Sequence, residues 1–402
     1  MPLGSSEPRV AIVHDALINA GGAERVATFL CEAFPEAPCF TSVYLPDKTY
    51  TEFCRRQIRV LPGARWATTE DRAKRMLPVW LAGFHRLDLR DFDVVLSSTT
   101  FAAKYVRAPK GVRHLSYCYA PFRLLWKPEV YEPSSIPAGP VTRLAFDVAR
   151  PMLKVWDRAA MHDVSAIATT CRNMVRAIAE CYQRQARVIY APVRLSEYRL
   201  AEEPGEYYLT VSRLVSHKRV DLAVKACRQL GRRLIVVGDG PELPKLQALA
   251  DDHVTFTGFI DKPTLLRLFA GCRALLFCSE DDYGLVPIEA QASGRPVIAY
   301  QAGGALETVI DGQNGIFFYA QAPGSLIDAM QRFEKATFDP QAVRQSVERF
   351  DVEPFKQAIR EFAFTAGLDT VPAASEDARV PRDAPAPAAL PGEAVHALKE
   401  HH

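Results

Sequence analysis

The segment Cys278–Glu289, CSEDDYGLVPIE, holds the side chains of this 402-residue chain best suited to chemistry. Glu280, Asp281 and Asp282 run into a Tyr283–Gly284 turn, and Glu289 falls eight residues after Asp281. The apolar run Ala274–Cys278 reads as a buried parallel strand, and Leu285, Ile288 and Ala292 recur at helical spacing. Strand, glycine turn and helix leave free backbone N–H groups and a positive dipole end above the sheet. Carboxylates beside such an end suit a ligand carrying both phosphate and hydroxyl groups, and a sugar nucleotide is one. The plainer alternative is an acid cluster that caps a helix on a solvated loop.

A second cluster lies upstream in YYLTVSRLVSHKRVDLA, Tyr207–Ala223, where Arg213 and Lys218 stand five apart in a loop between a strand and a helix. Two cations at the carboxyl end of a strand, above the crevice of an open sheet, meet the needs of a diphosphate. The next strand, RRLIVV, ends in Gly238-Asp239-Gly240-Pro241, where the glycines permit close backbone approach and Asp239 is a candidate helix cap.

Positioning these groups takes two βα halves. Strand-like runs begin at Val10, Cys39, Asp93, Arg113, Ser165 and Arg187, and again at Tyr207, Leu234, His253, Ala274, Pro296 and Gly315. Helical patterns lie between most of them, the signature of a doubly wound α/β sheet in each half. The length fits two domains of about 170–190 residues. Pro192 and the polar run Arg194–Glu206 supply a linker, and beyond Thr370 an Ala/Pro-rich stretch poor in large apolar residues reads as disordered.

Composition fits an ordinary soluble enzyme. A net charge of +2 gives no global reason to expect nucleic acid as a partner. The start MPLGSSEPRVAIV lacks a signal-peptide pattern, and no apolar run approaches the about eighteen residues that span a bilayer. Nine cysteines without a C-x-x-C pair read as reduced thiols of a cytoplasmic chain, and the histidines show no metal-ligand spacing.

The ordered set SRL-x-x-x-K, VVGDGPE, FTGFI, SEDDYGLVPIEAQASGRPVIA and GGALETV resembles the retaining family-4 glycosyltransferases of the GT-B fold. Within them it is most similar to bacterial O-antigen and exopolysaccharide mannosyltransferases. The likeness runs roughly from Arg9 to Phe364 and includes VAIVHDALINAGGAERV, with its Gly21–Gly22 loop. It implies an acceptor-binding domain over residues 1–192 and a nucleotide-sugar domain over 193–350. A helix over 351–368 would cross back to the first domain, and 369–402 would form the tail.

The resemblance also implies roles. Arg213 and Lys218 hold the donor diphosphate and support its departure, a task cations perform without a metal or cofactor. Asp281 touches donor-sugar hydroxyls and Glu289 the nucleotide ribose. Tyr283, Gly284, Leu285 and Val286 present backbone to sugar and phosphate, Gly238 and Phe259 belong to the donor pocket, and Gly21 and Gly22 face the reacting centre. For that glycine pair a plain βα turn is the alternative. Arg123 and Trp126 fall on the acceptor side.

Two positions depart from the family pattern. Asp281 replaces the usual Glu, and Glu280 beside it leaves open which carboxylate reaches the sugar. Tyr119, in SYCYAPFRLLW, stands where related mannosyltransferases carry a histidine near the reacting sugar; it keeps a hydrogen-bond donor but loses the pH-dependent one. His114, five residues earlier, reads as a strand-edge residue with a satisfied ring. No nucleophilic carboxylate stands out for a double displacement, so the expectation is same-face substitution.

The expected donor is GDP-mannose and the expected acceptor a polyprenyl-linked or saccharide substrate. Glu70–Leu87 and Arg143–Arg158 both mix basic with apolar residues, which suits peripheral contact with an anionic membrane or packing of the apolar side on the sheet. Competing readings are a transferase with a UDP-sugar donor, an epimerase or phosphorylase, and a non-catalytic nucleotide-sugar binder. A Rossmann dehydrogenase lacks its G-x-G-x-x-G fingerprint.

Overall fold

The computed structural model describes residues 8–128, 140–200, 203 and 205–366. The Ala/Pro-rich stretch read as disordered lies outside the described residues. Two all-parallel sheets carry the fold. The first joins β1 (Val10–His14), β2 (Cys39–Thr41), β3 (Ile58–Val60), β4 (Val94–Thr99), β5 (Arg113–Cys118), β6 (Ala166–Thr169) and β7 (Arg187–Val188) in the order 3-2-1-4-5-6-7. The second joins β8 (Tyr207–Val211), β9 (Arg233–Val237), β10 (Val254–Gly258), β11 (Ala274–Phe277), β12 (Val297–Tyr300) and β13 (Gly315–Phe318) in the order 10-9-8-11-12-13. β1, β4 and β11 are buried along their whole length, as parallel strands covered by helices on both faces must be, and their sequences are accordingly rich in apolar residues, with Ser97, Ser98 and Thr99 confined to the carboxyl end of β4.

β3 has no counterpart among the strands read from the sequence. It is three residues long, pairs at the sheet edge with β2, and exposes Arg59 and Val60, so it carries neither a buried run nor an alternation. Each sheet reverses strand order once, between β1 and β4 and between β8 and β11. The crevice outside the carboxyl ends of strands at such a reversal is where open α/β sheets bind ligands.

The last helix, Val352–Thr365, packs on the first domain. Phe355 meets Tyr117 edge-on at 5.8 Å, Phe364 meets Phe34 at 6.4 Å, and the Arg360 guanidinium donates to the Ala33 carbonyl at 2.8 Å. Asp351 caps this helix through Val352 N and also accepts from Leu195 N in the linker, so one carboxylate ties the crossing helix to the connection between domains. Glu197 in that linker is reached by Arg25 from the first domain and Lys262 from the second.

The two basic-plus-apolar segments fold differently. In the first, the helix Leu77–His85 buries Trp80 and Phe84, and the Trp80 indole donates to Ala73 O at 2.7 Å. The second contributes to the 23-residue helix Pro140–His162, whose charged Asp157 is buried. No described helix is long and apolar enough to cross a membrane, and all nine cysteines are free thiols.

Candidate active site

The carboxyl ends of both sheets border one cavity of about 1510 Å³. Gly21, Gly22, Tyr119 and Arg123 line it from the first domain. Lys218, Glu280, Asp281, Tyr283, Gly284, Leu285, Val286 and Glu289 line it from the second. These twelve sequence-expected residues are therefore brought together. Arg213, Gly238, Phe259 and Trp126 do not line it.

The acidic segment follows β11, at the strand-order reversal, and is shaped by glycines. Gly284 adopts φ +83°, and a Cβ there would lie 2.9 Å from the Phe277 ring. A Cβ on Gly304 would sit 2.0 Å from the Tyr283 carbonyl oxygen, and Gly304 N donates to Asp281 O at 2.8 Å. The GGALETV glycines thus let one backbone lie directly on the next. Gly284 caps the helix Leu285–Ala292 without a side chain, leaving the first N–H groups of that helix toward the cavity. The Tyr283 ring turns away from the cavity: its hydroxyl donates to Ala191 O at 2.9 Å and its ring stacks on Tyr190.

Lys218 Nζ bonds both carboxylate oxygens of Asp281, at 2.7 and 2.6 Å. A diphosphate entering here would find a cation already held beside a carboxylate. Between the two candidate carboxylates, Asp281 is fixed in this pair whereas Glu280 is exposed at the cavity wall. Glu289 accepts from the Tyr198 hydroxyl at 2.8 Å, and burial lifts its carboxyl above the ordinary value against that bond. Arg213 is exposed on the loop after β8. Gly238, at φ +126°, would place a Cβ 1.9 Å from Ser212 O, so it holds the exits of β8 and β9 together rather than facing the cavity. Phe259 is 83% exposed.

From the first domain, Gly21 and Gly22 open the helix Gly22–Ala33 with no side-chain cap. A Cβ on Gly22 would come 3.6 Å from the Leu285 side chain, so two open helix N-termini confront each other across the cavity. The Tyr119 hydroxyl bridges Ser98 Oγ at 2.8 Å and Ala23 O at 3.0 Å, and burial pushes its phenol well above the usual range. The hydroxyl thus joins β4 to the start of the helix that follows the glycine loop. His114 is buried, with Nε2 2.9 Å from Ser97 Oγ, and burial lowers its imidazole to about 4.

Arg123 reaches across the cavity to form an ion pair with Asp282, and Cys171 Sγ donates to Asp282 O. Trp126 donates its indole N–H to Asp157 at 2.8 Å beneath Lys154 and Arg158. Sequence reasoning missed Arg25, Asn173, Tyr198, His217 and Lys262, which also line the cavity. His217 was legible from its place beside Lys218 and Arg25 from its place three residues after Gly22; the others sit on helices or the linker with no local motif. Among the described residues, no group of three His, Cys, Asp or Glu is arranged to hold a metal ion.

Comparison with known proteins bears on the fold and on the second domain. Residues 196–349 match the family described as Glycosyl transferases group 1. The chain is 35% identical over 153 residues to a glycogen synthase of Pseudomonas aeruginosa, covering 35% of this chain and 30% of that one. It is 37% identical over 151 residues to a GDP-mannose-dependent alpha-(1-6)-phosphatidylinositol monomannoside mannosyltransferase of Mycobacterium tuberculosis, covering 33% and 39%. The chain thus spans about a third of the length of these curated relatives. Among solved structures, the apo lipopolysaccharide outer core galactosyltransferase WaaB matches with TM-score 0.63 at 15% identity, over 89% of this chain and 99% of that one. Anabaena Alr3699/HepE in complex with UDP and glucose matches with TM-score 0.64 at 18% identity, over 89% and 100%. The fold is GT-B, and the second domain is similar to group 1 glycosyltransferases.

Proposed function

We propose that this protein is a retaining glycosyltransferase that moves an α-mannosyl group from GDP-mannose to a polyprenyl-linked or saccharide acceptor in bacterial surface-polysaccharide synthesis, in peripheral contact with an anionic membrane. The observation that carries the transferase reading is the Lys218–Asp281 pair beside the open helix end at Gly284, facing the Gly21–Gly22 loop. In the proposed step the anomeric carbon–phosphate oxygen bond breaks and an acceptor oxygen bonds the same face. The acceptor proton passes to the departing phosphate oxygen. Lys218, with Arg213 swinging in from its exposed loop, offsets the charge on the leaving diphosphate, so no metal is needed. The mannose donor rests on the likeness to the mannosyltransferase. A UDP-sugar donor is the second reading, favoured by the UDP held in HepE.

Calorimetric titration with GDP-mannose, UDP-glucose and the free nucleotides, without added metal, separates these. GDP-mannose binds and UDP-glucose does not; Arg213→Ala with Lys218→Ala weakens binding roughly 100-fold, the sum of two charge-assisted bonds. Binding to the uridine donor alone would replace mannose by another sugar. Binding to none would sink the transferase reading, and binding without turnover on any acceptor would leave a nucleotide-sugar binder.

A further inference from the structure

Two consecutive acids of the loop after β11 each hold a cation, one from each domain. Asp281 holds Lys218 of the second domain through both carboxylate oxygens, and Asp282 holds Arg123, which reaches it from the first domain. All four residues line the cavity. The Arg123 side chain is 40% exposed, so its tip can turn toward a ligand without crossing a packed core.

Its base is fixed. Arg123 opens the one-turn helix Arg123–Trp126, in which Leu125 is buried. The Trp126 indole donates to Asp157, and Phe122 N donates to the Tyr182 hydroxyl. Lys104 holds Asp157 and Tyr182 in turn, at 2.6 and 2.9 Å, and all three are buried. Breaking these bonds would strand a charge or a polar group in the core, so the turn keeps its place. A buried network that touches no ligand thus sets where a guanidinium enters the cavity.

Charge decides what that guanidinium can do there. Glu280, Asp281 and Asp282 place three carboxylates on the loop that a diphosphate must approach. Among the described second-domain cations on the cavity, Arg219 is held by Asp221 and Lys262 by Glu197, which leaves Lys218 to face these acids. When the bond from the anomeric carbon to the phosphate oxygen breaks, its electron pair stays on that oxygen, and further positive charge is needed beside it. Arg123 is within Coulombic reach. The imidazole of His217, next to Lys218, is held below its ordinary value first by burial, then by the charges of Lys218, Arg123 and Arg213, against the pull of Asp281.

We propose that Arg123 is a catalytic cation supplied by the opposite domain, which leaves Asp282 for the terminal phosphate of the departing nucleoside diphosphate; Asp282 keeps it ready until that charge forms. An intact donor offers that oxygen only as an ester, so Arg123 favours the separated diphosphate over the donor. This rests on the transferase reading and adds a residue to it, whichever base the donor carries.

The test is calorimetry of the full chain with GDP, UDP, GMP and UMP, since the monophosphates lack the terminal phosphate. Arg123→Ala lowers affinity for the diphosphate of the preferred base roughly tenfold or more and leaves its monophosphate within about twofold, and Arg123→Lys restores part of the loss. Asp282→Asn frees the guanidinium, so this variant binds the diphosphate as tightly as the unaltered chain or more tightly. Equal losses in Asp282→Asn and Arg123→Ala would show that the pair only ties the domains together, and would overturn the proposal. Diphosphate affinity that survives Arg123→Ala would overturn it too, while leaving the transferase reading standing. A chain that binds no nucleotide would sink that reading and this role with it.

Discussion

Both sheets reverse strand order beside the cavity, between β1 and β4 in the first domain and between β8 and β11 in the second, yet different groups stand at the two reversals. The second domain aims charge at the ligand space: Lys218, Glu280, Asp281 and Asp282 all line it. The first domain uses its buried charges for structure. Asp15, at the end of β1, accepts from four consecutive backbone N–H groups, Thr100 to Ala103, and from Thr99 Oγ1, closing the β4 exit around itself. Lys104 and Asp157 neutralise each other inside, and what this domain shows the cavity is glycine, a tyrosine hydroxyl already engaged, and the cations Arg25, Arg123 and Lys127, with no carboxylate among the described lining residues. One fold plan thus yields a wall that carries both signs of charge and a wall that carries cations around a glycine loop.

Removing one partner from a cation pair in each domain breaks this contrast or sharpens it most. Asp157→Ala leaves a buried ammonium uncompensated and is expected to cost roughly 3–5 kcal/mol of stability. Lys218→Ala, whose pair with Asp281 keeps some solvent contact, is expected to cost less than about 1 kcal/mol yet weaken donor binding about tenfold or more. Denaturant unfolding and calorimetry on both variants read the two effects separately. Equal stability losses would show that the two pairs do the same work.

Acid comes next in size. His14 and His114 are buried beside the serine hydroxyls of β4, and burial holds both imidazoles below their ordinary value, His114 at about 4. The described histidines of the second domain, His217 and His253, are exposed. A histidine whose folded value is depressed binds its proton first in the unfolded chain, so stability is full above the ordinary value of 6.5 and lost as pH falls toward 4. The expected slope is about 1.4 kcal/mol per pH unit from His114 in that window. Hydrogen exchange across the window should show first-domain strands opening ahead of second-domain strands, and His114→Gln should flatten the slope. Opening that starts in β8–β13 would reverse the comparison.

The same division explains what could be read from sequence. In the second domain the ligand groups lie within a few residues of strand ends, so Lys218, Asp281, Gly284 and Glu289 are marked by local motifs that the fold converts into one wall. In the first domain the polar groups work over long separations: Lys104 with Asp157, Asp15 with the β4 exit, Tyr119 with Ala23. No local spacing announces such pairs. The Pro140–His162 helix shows the limit most plainly, since its residues alternate as in any amphipathic helix and only the buried Asp157 tells which side faces out. Trp126 was assigned to the acceptor side by position in a motif, whereas its indole is fixed by that same buried carboxylate. β3, short and half exposed at an edge, left too little pattern to detect.

Tyr119 carries the smallest expected effect and draws the sharpest line between a side chain that positions and one that reacts. Phenylalanine at this site keeps the edge contact with the Tyr117 ring at 5.3 Å and deletes the hydroxyl that joins Ser98 to Ala23. Losing one neutral hydrogen bond is expected to cost about 1 kcal/mol of stability and to loosen the start of the helix Gly22–Ala33. Donor affinity, set by the opposite wall, should not change. Release of nucleoside diphosphate from the donor should fall by less than about tenfold and through kcat rather than KM, because a loosened glycine loop misplaces the acceptor side without touching the diphosphate. A loss of about 100-fold or more with stability intact would mean that the hydroxyl acts on the sugar itself. Tyr119→His then separates the two cases further: an imidazole that restored turnover with a new acid limb near its own titration would mark a reacting group, whereas a variant no better than phenylalanine leaves the tyrosine as the pin that holds the glycine loop in place.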